Sequence, residues 1–146
     1  MRFIARSLQL ATEISRVLSQ ITNIDDLLQK SVETVRAQFD LYYVQIYLAD
    51  ATARSLILQA GTGRIGQELT RRGHGLVIGS SSINGLAAAE KQSVIVADTA
   101  VNPMFRPNSL LPYTRSEMAI PLIIGTRVVG TLDLQSEIVG AMSADN

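Results

Sequence analysis

The sequence predicts an α+β fold in which helices come first and antiparallel strands follow. Apolar residues recur at helical spacing over residues 4–39, whereas several later runs are short, rich in β-branched residues and bounded by turn residues. The clearest local signal is the segment 116–136, in which two aliphatic runs flank Gly125-Thr126. Because a Gly-X pair permits a two-residue primed turn, we predict an antiparallel hairpin there.

The composition limits the classes of function. The 146 residues suit one domain, and the formal net charge is zero, so the chain lacks the basic field that attracts phosphate backbones or anionic lipid. We therefore predict no nucleic-acid binding and no membrane contact by this domain. The chain has no cysteine, which excludes disulfides, thiolate metal ligands and cysteine nucleophiles. Polar residues interrupt the N-terminal apolar run, which argues against a signal or membrane segment and favours a cytoplasmic location.

Two helices are predicted at the N-terminus. The first, over residues 4–21, carries two apolar stripes: Ile4, Leu8, Ala11 and Leu18 form one, and Leu10, Ile14, Val17 and Ile21 the other. Two interpretations stay open, and both can hold together: one stripe packs on the domain and the other widens that packed face, or one stripe forms a dimer seam that continues an upstream coiled coil. Thr22 or Asn23 suits the cap of a second helix. The buried stripe of that helix would be Leu28, Val32, Val35 and Phe39.

The first two strands are predicted at 41–48 and 55–60. Side chains alternate along a strand, so the polar-tipped Tyr43, Gln45 and Tyr47 share one face. The same alternation in the second arm of the hairpin gives a polar and an apolar face. The polar face would hold Val129, Thr131, Asp133 and Gln135, and the apolar face Val128, Gly130, Leu132 and Leu134. Pro121 predicts a bulge or a sheet edge in the first arm, because proline donates no ladder hydrogen bond.

The middle of the chain gives weaker signals. Three glycines over residues 61–66 match neither the dinucleotide fingerprint nor the Walker pattern, so we predict a loop with positive φ angles. A minor strand at 76–78, a helix at 83–91 capped from Ser80–Ser82, a strand at 93–97 and a proline-rich loop over 100–112 follow. His74, the only histidine, is predicted to be a solvated surface residue, with haem ligation as the alternative.

Four segments in this order resemble a GAF domain: 40–50, 81–98, 101–108 and 114–136. The resemblance covers almost the whole chain, and it is greatest to GAF modules of bacterial multidomain sensors, often histidine kinases of two-component systems. It implies a profilin-like antiparallel sheet of about six strands, with N-terminal helices on one face and a ligand pocket on the other. A roof of loop and helix would cover the pocket. The implied organisation is a linker and dimerisation helix (1–22), the GAF domain (23–137) and the start of a truncated C-terminal connection (138–146).

The resemblance also bears on cofactors and activity. Known GAF domains bind cyclic nucleotides, bilins, haem or other small molecules, and many have no identified ligand. Covalently attached bilin is excluded, as is the cysteine-dependent reduction of methionine sulfoxide, because the chain has no cysteine. The cyclic-nucleotide signature is missing, so the cofactor stays unknown. No residues form a catalytic set, and the fragment is predicted to be non-catalytic, whereas the full-length protein is compatible with a sensor histidine kinase.

The polar strand faces and the resemblance together predict the site. The ligand-binding candidates are Tyr43, Gln45, Tyr47, Ser82, Asp98, Phe105, Arg106, Arg115, Glu117, Thr131 and Asp133; no catalytic or metal-ligating residue is predicted. An arginine here would clamp a carboxylate or phosphate, or else Arg115 forms an ion pair with Glu117 or Asp133.

Two functional hypotheses follow. The first is a dimeric sensory module that binds a small molecule noncovalently and relays the signal through its helices to an absent output domain. The alternative is a ligand-free structural spacer, plugged by Tyr43 and Tyr47, that serves dimerisation and relay.

Overall fold

The computed structural model describes residues 2–143, apart from the side chains at positions 2–4, 21 and 22. The elements in chain order are α1 (Arg2–Gln38), β1 (Tyr43–Ala49), β2 (Ser55–Gly61), α2 (Gly63–Arg71), β3 (Gly75–Val77), α3 (Ile83–Glu90), β4 (Val94–Val96), β5 (Ser116–Ile124) and β6 (Arg127–Ser136). The six strands form a sheet in the order β3-β2-β1-β6-β5-β4, and each neighbouring pair is antiparallel. The predicted α+β fold with about six antiparallel strands is confirmed.

A single long helix replaces the two that were predicted at the N-terminus. α1 runs without a break through Thr22 and Asn23, so neither residue acts as a cap. Threonine, asparagine and aspartate cost only about 0.7 kcal/mol each in a helix interior, too little to interrupt a helix that continues on both sides. The helix ends just before Asp40, which adopts a left-handed φ of 51°. Phe39, predicted to be buried, is exposed beyond that end.

Only the second half of α1 packs on the sheet. Val32 is fully buried against the face of β1 that carries Val44 and Ile46. Residues 5–20 are all exposed. The interpretation in which a stripe of residues 4–21 packs on the domain is therefore wrong for the described side chains, while those of Ile4 and Ile21 lie outside them. Among residues 2–143, no helix combines the length and the apolar character needed to cross a membrane.

The opposite face of the sheet is covered by α2, α3 and the loop over residues 100–112. α2 was not predicted. Gly63 does take a positive φ of 66°, but a helix begins there instead of a loop. Gly66 permits close packing, because a Cβ on it would lie 2.0 Å from the carbonyl carbon of Gly61. The signal that could have revealed α2 is the i, i+4 spacing of Ile65 and Leu69, which both pack on the core.

The remaining predictions for the sheet are confirmed with two exceptions. The register of the β5–β6 hairpin shifts between Leu122 and Ile123, next to Pro121, so the hairpin has a bulge, but the bulge is not in the first arm, where it was predicted. Leu122 pairs with Gly130 and Ile123 with Val128, so β6 contains one extra residue. That residue turns Val128 to the other face of the sheet, where it packs against the cluster beneath α2 and α3. Its predicted place beside Leu132 and Leu134 is wrong.

Candidate ligand cavity

A cavity of about 370 Å³ lies between the sheet, α2, α3 and the 100–112 loop. Its lining residues are Gln45, Tyr47, Leu69, Arg72, His74, Leu76, Ser82, Ile83, Asn84, Phe105, Arg106, Pro107, Asn108, Ser109, Leu111, Thr114, Glu117 and Gln135. The strands contribute polar side chains to this space because the odd positions of β1 and the facing positions of β5 and β6 point to the same side. The pairs Gln45–Asp133 and Glu117–Gln135 are directly opposite in the sheet.

The floor of the cavity rests on Asp133, whose side chain is fully buried. Its Oδ2 accepts hydrogen bonds from Gln45 Nε2 at 3.0 Å and from Gln135 Nε2 at 2.7 Å. Its Oδ1 accepts a third from Asn84 Nδ2 at 3.1 Å. These three N–H donors replace the water that the carboxylate loses on folding, which makes its burial tolerable.

The neighbouring hydrogen bonds fix the orientation of the amides. Gln135 Nε2 also donates to Glu117 Oε2 at 3.1 Å, and Gln135 Oε1 accepts from Thr114 Oγ1 at 2.6 Å. Gln45 must point its nitrogen at Asp133, because a carboxylate only accepts. Its Oε1 is then left buried without a hydrogen-bond partner among the residues that the structure describes. This oxygen exposes less than 1 Å² of surface, so it lies behind the wall of the cavity rather than in it.

Glu117 is the acidic side chain that lines the cavity, and it is 5% exposed. Burial raises the pKa of Glu117 well above its ordinary value, and the charge of Asp133 and a hydrogen bond to Asp133 raise it further. Within the described residues, no lysine, arginine or histidine lies within ion-pair distance of Glu117 or Asp133. The two carboxyl groups therefore share the floor without a balancing positive charge, and the protonated form of Glu117 is favoured.

Two arginines and a histidine also line this cavity. Arg72 is exposed and pairs with Glu68 at 2.8 Å. Arg106 is exposed and donates from Nε to the carbonyl oxygen of Ser81 at 2.9 Å. His74 is half-buried with its ring centroid 6.1 Å from that of Tyr47, and burial lowers its pKa. The lining of the cavity thus includes a buried acidic group and two exposed basic ones.

Six of the predicted site residues line this cavity: Gln45, Tyr47, Ser82, Phe105, Arg106 and Glu117. Thr131 and Asp133 lie directly behind its wall, both fully buried, and Thr131 Oγ1 donates to Asn84 Oδ1 at 3.1 Å. Ser82 has a second task, because its Oγ accepts from the backbone nitrogen of Gly85 at 3.0 Å and caps α3 as predicted. Whether any of these residues contacts a ligand stays a prediction.

Three predicted residues lie elsewhere. Tyr43 borders a separate cleft of about 320 Å³ beside α1 and α2. Asp98 accepts a hydrogen bond from the backbone nitrogen of Ala100 at 2.9 Å and shapes the turn after β4. Arg115 is exposed in a shallow groove with Tyr113 and Glu137.

The predicted ion pair of Arg115 with Glu117 or Asp133 is therefore wrong. Arg115 precedes β5 and its Nη1 donates to the carbonyl oxygen of Pro112 at 3.4 Å, on the solvent side, whereas both carboxyl groups face the interior. The prediction for His74 is also wrong, because the side chain lines the cavity instead of being solvated. Both errors come from contacts between segments that are distant in sequence.

Sequence reasoning also missed residues that hold the floor together. Asn84 connects α3 to β6, and Thr114 orients Gln135. The signal for Asn84 in the sequence was a polar residue between Ile83 and Gly85 at the start of a predicted helix. An amide that is buried at such a position needs a hydrogen-bond partner. Thr114 carried no signal in the sequence, since its role depends on the chain returning to β6 beyond the loop.

Comparison with known proteins identifies the family. The family model for the GAF domain matches residues 21–145. The chain belongs to the GAF domain family. Among curated proteins, no sequence match was found.

Solved structures share the fold of this GAF domain. The GAF domain region of a putative membrane protein from Geobacter sulfurreducens PCA aligns with a TM-score of 0.71, 19% identity and coverage of 89% of this chain and 87% of that one. The GAF domain of the Acinetobacter phosphoenolpyruvate-protein phosphotransferase aligns with a TM-score of 0.69, 22% identity and coverage of 94% and 82%. A type II free methionine-R-sulfoxide reductase from Thermoplasma acidophilum aligns with a TM-score of 0.68, 19% identity and coverage of 82% and 79%.

The presence of a reductase corrects the prediction that this fragment is non-catalytic. Enzymes occur among the structures that share this fold, so the assignment as non-catalytic is not supported and is wrong as stated. The lack of a catalytic motif was a weak argument, because it treated the fold as one that only binds. Because the sequence identities are below 25%, the comparison with solved structures shows only that the fold is shared.

Proposed function

We propose that this GAF domain binds a small polar molecule noncovalently in the 370 Å³ cavity and passes the signal through its helices to an output domain of a cytoplasmic signalling protein, such as a histidine kinase. The observation that supports ligand binding is the carboxyl group of Glu117, which lines the cavity and has no cationic partner among the described residues. A bound molecule that offered hydrogen-bond donors would supply partners for it.

The volume of the cavity favours this proposal over the ligand-free spacer. A space of about 370 Å³ falls in the range of small-molecule sites, although Tyr47 is among its walls. Tyr43, the other side chain expected to plug it, packs instead against Gly61, where a Cβ would lie 2.3 Å from the tyrosine oxygen. Neither tyrosine therefore fills the space under the 100–112 loop.

A thermal-shift screen against nucleotides and metabolites tests the binding proposal. A ligand that binds only the native state at 100 times its Kd stabilises by about 2.7 kcal/mol, which raises the Tm by several degrees. Ser109 lines the cavity and is exposed, so Ser109→Trp should block the entrance and abolish the shift. Ser93→Trp is the matched control, because Ser93 is exposed outside the cavity. A library with no hit, or a hit unaffected by Ser109→Trp, contradicts the proposal.

We also propose that the domain is a homodimer joined through the first half of α1. Leu10, Ile14, Val17 and Ile24 follow the alternating spacing of a coiled-coil seam, and all four are exposed. Burial of such a stripe against a second copy would remove several large apolar side chains from water at about 25 cal/mol per Å². A seam of this kind would also carry helix movements towards neighbouring domains.

Sedimentation of the intact chain tests the dimer. Ile14→Lys with Val17→Lys should give a monomer whose domain stays folded, because neither residue packs on the sheet. The control is Ser15→Lys with Ser19→Lys, which changes exposed residues of the same helix and should leave the dimer intact. A parent protein that sediments as a monomer at high concentration would refute the dimer.

A further inference from the structure

We infer that the dimer is antiparallel: the first half of α1 packs against the same segment of a second copy that runs in the opposite direction, with a two-fold axis perpendicular to the helices. The inference rests on the homodimer proposed above. It adds the orientation of the two chains and the helix face that joins them, and it does not depend on whether the cavity binds a ligand.

The exposed apolar stripe of α1 lies on the same side of the helix as the residues that pack on the sheet. In the second half of α1 the residues that make this packing are Leu28, Val32 and Val35. The residues that precede them by 18 positions each, or five turns of about 3.6 residues, are Leu10, Ile14 and Val17. Because α1 is unbroken, this stripe points to the same side as the sheet, but residues 5–20 are all exposed and therefore extend beyond it.

A parallel pair of helices conflicts with this arrangement. In a parallel pair each helix would face its partner with the same stripe along its whole length, at an interaxial distance of about 8–10 Å. In the second half of α1 that side already carries the sheet of the same copy. Two sheets, each a layer of about 10 Å, would then have to lie between the two helices. An unbroken helix has no kink that would let the two copies diverge to admit them.

An antiparallel pair avoids this conflict. Its two-fold axis crosses the helices, so the two sheets lie at opposite ends of the paired segment. The second half of each α1 keeps its own sheet, and the partner helix lies beyond the end of that sheet, in the same layer. The stripe residues Leu10, Ile14 and Val17, which are 61%, 51% and 45% exposed, are then covered by the second copy.

The residues that flank the stripe also favour the antiparallel orientation. One flank carries Ala11 and Leu18, both exposed, and the other carries Arg6, Glu13 and Gln20. In an antiparallel pair each flank faces the same flank of the second copy, so the apolar flanks meet each other. In a parallel pair each flank faces the opposite one, and Leu18 would face Glu13. The surface is therefore self-complementary in the antiparallel orientation, as an isologous interface requires.

Spin labels on α1 test the orientation. The chain has no cysteine, so one introduced thiol carries the only label in each copy. Suitable variants are Ala5→Cys, Thr12→Cys, Ser19→Cys and Asp26→Cys, which are seven residues apart, exposed and on the side of α1 away from the stripe. Each variant is labelled separately in the intact chain, and double electron–electron resonance measures the distance between the two labels of the dimer.

The four distances are expected to differ. In an antiparallel dimer the two labels separate along the helices by about 3 Å for each residue between the labelled position and the two-fold axis, because each helix rises about 1.5 Å per residue. Over positions 5 to 26 the longest and shortest distances should therefore differ by about 10 Å or more. In a parallel dimer the two labels lie at the same level at every position, so the four distances would be equal.

The outcomes separate this inference from the dimer itself. Four equal distances would overturn the antiparallel orientation and leave the homodimer standing. A monomer in sedimentation with no label-to-label distance in any variant would refute both. As a control, Ile14→Lys with Val17→Lys in the labelled Ser19→Cys chain should abolish the distance, because the stripe itself forms the contact. A distance that persists there would show that another face joins the copies, which overturns the inference as well.

Discussion

Replacement of Asn84 by alanine tests whether the polar network, rather than apolar packing alone, fixes α3 to the sheet. Asn84 is 4% exposed and makes two buried hydrogen bonds to β6, one to Asp133 and one from Thr131. In Asn84→Ala, the Asp133 carboxylate loses one of its three donors and the Thr131 hydroxyl loses its acceptor. Both groups are fully buried in the parent protein, so each loses a partner that the fold itself supplies.

The expected loss can be worked from these two bonds. A hydrogen bond to a charged group contributes about 1.5–3 kcal/mol, and a buried hydroxyl without its acceptor costs about 1–3 kcal/mol. Alanine returns about 0.5 kcal/mol through its higher helix propensity. The net expectation is a destabilisation of about 3 kcal/mol, which lowers the Tm of a domain of this size by roughly 6–12 °C.

Urea unfolding followed by circular dichroism measures the effect, with an unchanged m-value showing that two-state behaviour persists. Glu90→Ala is the matched control, since Glu90 is exposed at the end of the same helix and should change stability by less than about 0.5 kcal/mol. A loss below about 1 kcal/mol for Asn84→Ala would show that the network contributes little and would refute this account of the floor.

Three further predictions concern the surroundings of the cavity. Gly66→Ala should destabilise by about 2 kcal/mol, because the clash with Gly61 outweighs the helix-propensity gain of about 1 kcal/mol, whereas the exposed Gln67→Ala should be neutral by urea unfolding. Ser82→Ala should cost about 1 kcal/mol through loss of the α3 cap; an unchanged midpoint would contradict this. Because the pKa of Glu117 is raised on folding, the folded state holds its proton longer, so stability should fall above about pH 4.5 by at most about 1.4 kcal/mol per unit. Glu117→Gln should remove that slope in pH-dependent unfolding, and a slope that persists would disprove the cause.

The strands that form the cavity floor were predictable from the sequence. Alternation along β6 places Asp133 and Gln135 on one face of that strand, and alternation along β1 places Gln45 on the polar face of its own strand, because the side-chain period of a strand is two. Pairing in the structure then sets Gln45 opposite Asp133. The alternation failed only at Val128, where the extra residue of the bulge reverses the faces. Bulges depend on the partner strand and leave little trace in local composition.

The covering elements were less predictable. Residues 61–66 were predicted to be a loop because their three glycines suggested positive φ angles, yet Gly66 lies within α2 and is needed for contact with β2 rather than for a turn. The break predicted at Thr22 did not occur, because differences in helix propensity of a few tenths of a kcal/mol are smaller than the free energy gained by continuing the helical hydrogen bonds.

By itself, the sequence determined the α+β class, the polar side of the sheet and the exclusion of thiol chemistry, because these follow from side-chain period and covalent composition. The tertiary structure decided which polar residues meet. In the structure Arg115 is exposed and His74 lines the cavity. Asn84 is hydrogen-bonded to Asp133, which is 49 residues away in the sequence. Contacts of that kind depend on how α2, α3 and the 100–112 loop fold over the sheet, and no local pattern encodes the distance between them.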